Sequence, residues 1–260
     1  MRILFLGDIV GKPGYQAVCS CLPDVRVQNQ IDVVVANAEN VDNGSGLTPD
    51  QYHGLLGSGV DVLTLGDHLP RCTSISSILR ESQQIIRPAN LPPKAVGSGW
   101  TIFDLGVGKL AVISLLGRVY MRPVDCPFHA ADRVLGEIGD QADWILVDFH
   151  AEATGDKQLM GRYLDGRVTA VLGTHTHVPT ADTGILPKET AFQCDVGMCG
   201  PHESILGRKI DQVLKHTLRA APVRFHVASD DVRLCGVIVD AGSEKLPRTI
   251  ERFERRIADR

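Results

Sequence analysis

Five short apolar runs each end on a side chain able to hold a metal ion, and this restricts the fold more than any other feature of the chain. Ile3-Leu-Phe-Leu-Gly-Asp8 ends on a carboxylate, and Val33-Val-Val-Ala-Asn-Ala-Glu39-Asn40 on a carboxylate and an amide. Val62-Leu-Thr-Leu-Gly-Asp67-His68 ends on a carboxylate and an imidazole, Ile145-Leu-Val-Asp-Phe-His150 on an imidazole, and Val171-Leu-Gly-Thr-His175-Thr-His177 on two. Ligands of open α/β sheets bind in the crevice beyond the carboxyl ends of the strands. If these strands share one sheet system, Asp8, Glu39, Asn40, Asp67, His150, His175 and His177 therefore meet on one rim. Seven such groups exceed what a four-coordinate zinc ion accepts, and the mixture of oxygen and imidazole suits iron, manganese or zinc in a paired site. Taken singly, an aspartate after a strand is more often a turn former or a helix cap; the coincidence at five strand ends carries the reading.

Apolar β-branched runs alternating with helix-like stretches are the pattern of β-α-β construction. Strands are expected at Arg2–Leu6, Asp32–Ala36, Val62–Leu65, Thr101–Leu105, Lys109–Leu115, Trp144–Val147, Val168–Leu172 and Val232–Val239. The pair around Gly106-Val107-Gly108 reads as a hairpin, which makes the sheet system mixed. Thr48-Pro49-Asp50-Gln51 has the form of a capping box that opens a helix. Ala130–Ile138 and Ile205–Leu218 have helical apolar spacing, and the charged stretch Glu244–Arg260 is expected at the surface. No repeat or low-complexity segment divides the 260 residues, so one domain over residues 1–260 is the expectation.

Composition removes several function classes. With 27 Lys and Arg against 31 Asp and Glu, the net charge is −4, and no broad footprint for extended nucleic acid exists. The longest apolar run, Leu110–Leu116, is far short of the roughly 20 residues that span a bilayer. The apolar N-terminus breaks at Asp8, too early for a secretory segment, so a cytoplasmic protein without a membrane partner is expected. Seven cysteines without a C-x-x-C pair argue against a disulfide framework and a structural zinc site, and most are expected to be reduced and buried. Gly7-Asp-Ile-Val-Gly11-Lys12-Pro13 is one residue too short between its glycines for a phosphate-binding loop and has proline where a magnesium-binding hydroxyl belongs. No Gly-x-Ser-x-Gly elbow occurs. His53, His129, His216 and His226 read as solvated or structural, and His202 as a weak site candidate.

Leu6-Gly-Asp-Ile-Val-Gly-Lys-Pro-Gly14, Asn37-Ala-Glu-Asn40, Leu63-Thr-Leu-Gly66, Arg87-Pro-Ala-Asn90, Leu115-Leu-Gly-Arg-Val-Tyr-Met121, Asp148-Phe-His-Ala-Glu-Ala-Thr154, Gly173-Thr-His-Thr-His-Val-Pro-Thr-Ala-Asp182 and Asp195-Val-Gly-Met-Cys-Gly-Pro201 follow one another in order. Together they resemble the bacterial YmdB-like branch of the calcineurin-like metallophosphoesterases, over residues 1 to about 240. The resemblance implies an α/β fold of two mixed β-sheets packed as a sandwich and flanked by helices. It also implies two divalent or trivalent transition-metal ions, iron or manganese before zinc, and phosphodiesterase activity on cyclic nucleotides such as 2′,3′-cyclic AMP. Carried over by position, Asp8, Glu39, Asn40 and His177 resemble the ligands of one metal, and Glu39, Asp67, His150 and His175 those of the other, with Glu39 bridging. His68 resembles the proton donor. Asn90 and Arg118 are weak candidates for substrate contact, with a structural role equally open.

Paired metals roughly 3.5–4 Å apart clamp phosphoryl oxygens and supply a hydroxide near neutral pH, in agreement with that assignment. The chain departs from the pattern at Asp67, where the family usually has asparagine, and in Leu69-Pro70-Arg71-Cys72, where it has an aromatic residue. Cys199 and Gly155-Asp156 are milder departures. No ligand position is apolar, so a hydrolase of small phosphate esters is the leading expectation. A metal-binding regulatory protein of the same fold with negligible turnover is the alternative, and homo-oligomerisation is left open.

Overall fold

The computed structural model describes residues 1–71, 73–220, 222–242 and 246–257. Cys72, Glu244 and the three C-terminal residues of the sequence reading lie outside these. Among the described residues, fourteen strands form two sheets. The eight-stranded sheet runs in the order β2 (Asp8–Ile9), β12 (Met198–Pro201), β13 (Val232–Ala241), β1 (Arg2–Leu6), β3 (Val33–Asn37), β4 (Val62–Thr64) and β5 (Ile85–Ile86), with β14 (Pro247–Arg256) along the other edge of β13. Strands β1, β3, β4 and β5 are parallel, and β13 is antiparallel to β1, β12 and β14. The six-stranded sheet is ordered β10 (Gly184–Ile185), β11 (Ala191–Gln193), β9 (Ala170–Thr174), β8 (Trp144–His150), β7 (Lys109–Leu116) and β6 (Trp100–Asp104). The expected β6–β7 hairpin is antiparallel, whereas β7, β8 and β9 are parallel.

Both faces of the central strands are buried, which is why they read as unbroken apolar runs and not as alternating ones. Ile3 and Phe5 point into the layer between the sheets, where they meet Val33, Val35, Leu110 and Leu146. Leu4 and Leu6 face the other way, beneath helices α1 (Gly11–Gln28), α2 (Pro49–Gly57) and α3 (Ser76–Glu81). Ile113, Val147 and Val171 of the second sheet pack with residues of α4 (Pro127–Ile138) and α5 (Thr154–Leu164). The result is the expected helix–sheet–sheet–helix sandwich. The ligand-type residues are thus shared between two facing sheets, and one rim still collects them because parallel strands of both end there.

The capping box forms as read: Gln51 N–H donates to Thr48 Oγ1, and Thr48 N–H to Gln51 Oε1. The expected set lacks the short strands β2, β5, β10, β11 and β12 and helices α3 and α5, and three other elements differ from it. Helix α1 begins inside Gly7–Pro13, the segment that fails as a phosphate-binding loop, and continues through residues for which the sequence suggests no element. Its inner face, Gly14, Ala17, Val18, Leu22 and Val25, has helical spacing, but glycine and alanine make it a weak signal. Gly14 is required there: a Cβ would lie 2.1 Å from the Cys199 carbonyl oxygen, so the helix rests directly on β12. Helix α6 (Ile210–Arg219) begins five residues later than expected, because Ile205 and Arg208 pair with each other in a bridge. The charged C-terminal stretch is at the surface but is not irregular, since β14 pairs with β13 along its length. Its charges face solvent, while Ile250 and Phe253 pack on opposite faces of the sheet.

Candidate metal centre

Every residue of the expected ligand set lies on the rim. Asp8 follows β1 across Gly7, and as the first residue of β2 it pairs with Met198 of β12. Glu39 and Asn40 follow β3; Asp67 and His68 follow β4 across Gly66; His150 ends β8; His175 and His177 follow β9. Among the described residues, Glu39, Asp67, His150 and His175 form one group whose ligand atoms lie within 4.8 Å of one another. His150 Nε2 is 2.9 Å from Glu39 Oε1 and 3.4 Å from Asp67 Oδ1, and His175 Nδ1 is 3.0 Å from His150 Nε2. Asp8, Asn40 and His177 sit alongside: Asn40 Nδ2 donates to Asp8 Oδ1 at 3.1 Å and lies 3.4 Å from His177 Nε2. A cation among these three would need a half-turn of the Asn40 amide to bring its oxygen round.

Three observations fit this donor set to a bound cation. Glu39 Oε1 and Asp67 Oδ1 are buried without a hydrogen-bond partner among the described residues, although His150 Nε2 is close to both. Buried carboxylate oxygens are costly unless they are paired or bind metal. A Cβ on Gly66 would come within 2.4 Å of Glu39 Oε2 and 2.5 Å of His150 Nε2, so the space between the carboxylate and imidazole is kept clear by glycine. The far nitrogen of each histidine is occupied by an acceptor. His177 Nδ1 is 3.2 Å from the Leu206 carbonyl oxygen, and His175 Nε2 is 3.2 Å from Glu152 Oε2. Thr174 gives its single hydroxyl proton to Asp148, so it accepts from His150 Nδ1–H at 2.8 Å. In their neutral forms all three rings therefore aim a lone pair at the cluster, the tautomer metal ligation requires.

The electrostatics show the same demand for positive charge. Burial pushes Asp8 and Asp67 up, yet neighbouring histidines hold both far below the usual carboxylate range: His177 and His150 for Asp8, and His150 and His68 for Asp67. Burial likewise disfavours a charge on His150, but Glu39, Asp67 and Asp8 outweigh it and lift its pKa well above 6.5. His177 is raised against burial by Asp8. His175 moves down, through burial and the nearby His150. Asp148 lies beneath the centre, and burial raises it to about 6 against the bonds it accepts from Thr174, Thr64 and Asn37.

His68 stands at the edge, with its side chain one-quarter exposed. Its backbone N–H donates to Glu39 Oε2 at 2.9 Å, and its Nδ1 is 2.8 Å from Asn40 Oδ1. Asn40 turns its amide nitrogen to Asp8, so its oxygen accepts from His68 Nδ1–H and the ring's Nε2 side is directed away from that bond. Asn90 and Arg118 are not part of the cluster. Asn90 is buried, and its amide bonds the backbone of Leu116 and Asp125. Arg118 is exposed, with its backbone N–H on Asp156. His202 lies apart, near Cys235 and the Met198 carbonyl.

Several supporting residues lay inside the quoted motifs without a role being read for them. Thr174 and Glu152 orient histidines. Asp195 accepts from the backbone and the hydroxyl of Thr176, between the two rim histidines, and from the buried Lys157 ammonium at 2.8 Å. Cys199 is buried, and burial pushes its thiol up, as expected of an inert cysteine.

Known proteins resemble the chain over nearly its whole length. The chain is 43% identical, over 92% of its length and 91% of the relative's, to the 2′,3′-cyclic-nucleotide 2′-phosphodiesterase of Bacillus subtilis (strain 168). A crystal structure of a novel phosphatase from Mycoplasma pneumoniae is 31% identical and superposes with a TM-score of 0.92, covering 98% of this chain and 93% of that one. A 5′-nucleotidase precursor from Thermus thermophilus, 12% identical, shares the layered metallophosphoesterase fold alone, at a TM-score of 0.57 over 98% of this chain and 54% of that one. The family model described as YmdB-like protein matches residues 4–253, nearly the whole chain, and the chain belongs to the YmdB-like family.

Proposed function

We propose that this chain, one domain over residues 1–260 and a metal-dependent phosphodiesterase of the YmdB-like family, hydrolyses cyclic nucleotides such as 2′,3′-cyclic AMP at a centre holding two transition-metal ions, iron or manganese before zinc. The observation that carries the reading is the pair of buried oxygens without a hydrogen-bond partner among the described residues, Glu39 Oε1 and Asp67 Oδ1, beside the imidazoles of His150 and His175. Glu39, Asp67, His150 and His175 would hold one cation, and Asp8, Asn40 and His177 the other, with Glu39 shared. When bound, such cations supply Lewis-acid polarisation of the phosphoryl group and a nucleophilic water at neutral pH.

The chain's own residues do the rest. Glu39 anchors His68 by accepting from its backbone N–H, an attachment that does not depend on which way the Asn40 amide faces. In the protonated ring, the Nε2 proton passes to the departing ester oxygen as the bond from phosphorus to that oxygen breaks and the bond to the incoming water oxygen forms. Asp67 brings a second carboxylate beside Glu39, which strengthens retention of a hard cation. The experiment is turnover of 2′,3′-cyclic AMP and bis-p-nitrophenyl phosphate by manganese-loaded protein, before and after chelation. Hydrolysis of both, lost with EDTA and restored by manganese, is the expected result. A metal-loaded protein that leaves both intact contradicts the proposal and favours a regulatory metalloprotein.

A further inference from the structure

Beside Asp67 the surface opens into a cavity of about 400 Å³. Gly66 and Asp67 form the end next to the carboxylate–imidazole cluster, and the walls are aliphatic, built from Leu69, Leu79, Leu91, Leu116, Met121 and Val124. Thr73, Ser76 and Arg122 add polar atoms to its lining. An apolar cleft of this size with few polar groups is the usual form of a small-molecule site.

The cavity is built, not incidental. Its outer wall belongs to the loop after β7, and Asn90 ties both ends of that loop: its amide donates to the carbonyls of Leu116 and Asp125 at 2.9 and 3.0 Å, and Leu116 N–H donates to its Oδ1 at 2.9 Å. Asp125 N–H also donates to the Asn90 carbonyl. Met121, Arg122 and Val124 are therefore held in place before any ligand arrives. The inner wall begins at Leu69, one residue after His68, so the cavity lies within a few bonds of a phosphoryl group seated over the cluster.

We propose that this cavity is the subsite for the nucleobase of the phosphodiester substrate. The proposal rests on the phosphodiesterase reading above and adds to it the source of substrate preference. A phosphate bound over the cluster must send its organic group somewhere, and aliphatic walls beside Asp67 receive a flat ring with release of water. The polar atoms select a heterocycle over an acyl chain. Ser76 Oγ donates its one proton to the Thr73 carbonyl at 2.9 Å, so toward a ligand it can only accept, and Arg122 can only donate. A base edge offers both complements, an amino donor and a ring-nitrogen acceptor; an acyl chain offers neither.

Two cyclic phosphates differing only in the base provide the test: 2′,3′-cyclic AMP and ribose 2′,3′-cyclic phosphate. For the manganese-loaded wild type, KM should be at least about tenfold lower for the first, the scale of a well-made hydrophobic contact, with similar kcat. Val124→Trp fills the cavity and should raise KM for 2′,3′-cyclic AMP to the base-free value while leaving the base-free substrate unaffected; Met121→Trp serves as a second variant on the same wall. Equal KM values in the wild type, or discrimination that survives both folded variants, overturn the subsite. Calorimetric titration with adenosine separates this failure from that of the functional reading. If the wild type hydrolyses neither substrate, the phosphodiesterase reading fails; saturable adenosine binding lost in Val124→Trp would still support the cavity, and its absence in the wild type overturns it.

Discussion

At the scale of single residues, His68 is the sharpest test of the chemistry. It touches Glu39 and Asn40 through Nδ1 and its backbone, so its removal should leave the metal content intact. His68→Ala should slow hydrolysis of 2′,3′-cyclic AMP, which has an alkoxide leaving group, by about 10²- to 10⁴-fold, the usual worth of a general acid. Bis-p-nitrophenyl phosphate, whose leaving group needs little protonation, should lose much less; paired kinetics on the two substrates check this, and equal losses would mean that His68 acts only by holding the centre together. The ligand-type residues were legible in the sequence because each stands one to five positions beyond an apolar run, a spacing that survives folding. Gly66 and Thr174 were not. Their importance lies in a distance across strands, 2.4 Å from a notional Cβ to Glu39 for one and a single shared proton for the other, and no linear spacing encodes either.

At the scale of elements, the turn after β9 carries an unusual load. His175 and His177 both have positive φ, 94° and 63°, a conformation that costs a non-glycine residue on the order of 1–3 kcal/mol. Thr176 between them is clamped by two bonds to Asp195 Oδ2, whose charge is met by the buried Lys157 of α5. Asp195→Ala should free the turn and strand the Lys157 ammonium, with a stability loss of about 3–5 kcal/mol in denaturant unfolding and metal affinity weakened roughly 10- to 100-fold. Unchanged metal affinity in a folded Asp195→Ala variant would show that the histidines hold their turn unaided. The central strands were readable for the reason that makes them central: burial on both faces leaves nothing but apolar residues in sequence. Helix α1 was obscured because its inner face is built on Gly14 and Ala17 to approach β12 closely, and small residues weaken the periodicity that announces a helix. Strand β14 was obscured because an edge strand with one solvated side can be mostly charge.

At the scale of the molecule, the rim couples stability to pH in opposite directions with and without metal. In the metal-free protein His150 and His177 have pKa values raised above 6.5, so the stability they contribute is complete below that pH and is lost as pH rises through the folded-state values. Asp8 and Asp67, held low, contribute stability that is present above the ordinary carboxylate value of 3.8 and is lost only at strongly acid pH. Between pH 6.5 and 8.5 the metal-free protein should therefore melt at progressively lower temperature, by roughly 2–4 °C for each kcal/mol lost. The metal-loaded protein should move the other way, since cations replace those protons and bind more tightly as pH rises. Thermal melts with EDTA and with manganese at both pH values check the contrast; parallel slopes would show that the imidazoles do not exchange protons for metal. If five strand ends from two sheets build one two-metal centre, anomalous diffraction from crystals of the manganese-loaded protein should show two peaks within roughly 4 Å of each other, one among Glu39, Asp67, His150 and His175 and the other among Glu39, Asp8, Asn40 and His177; a single fully occupied peak that stays single at saturating manganese would mean that the rim holds one ion.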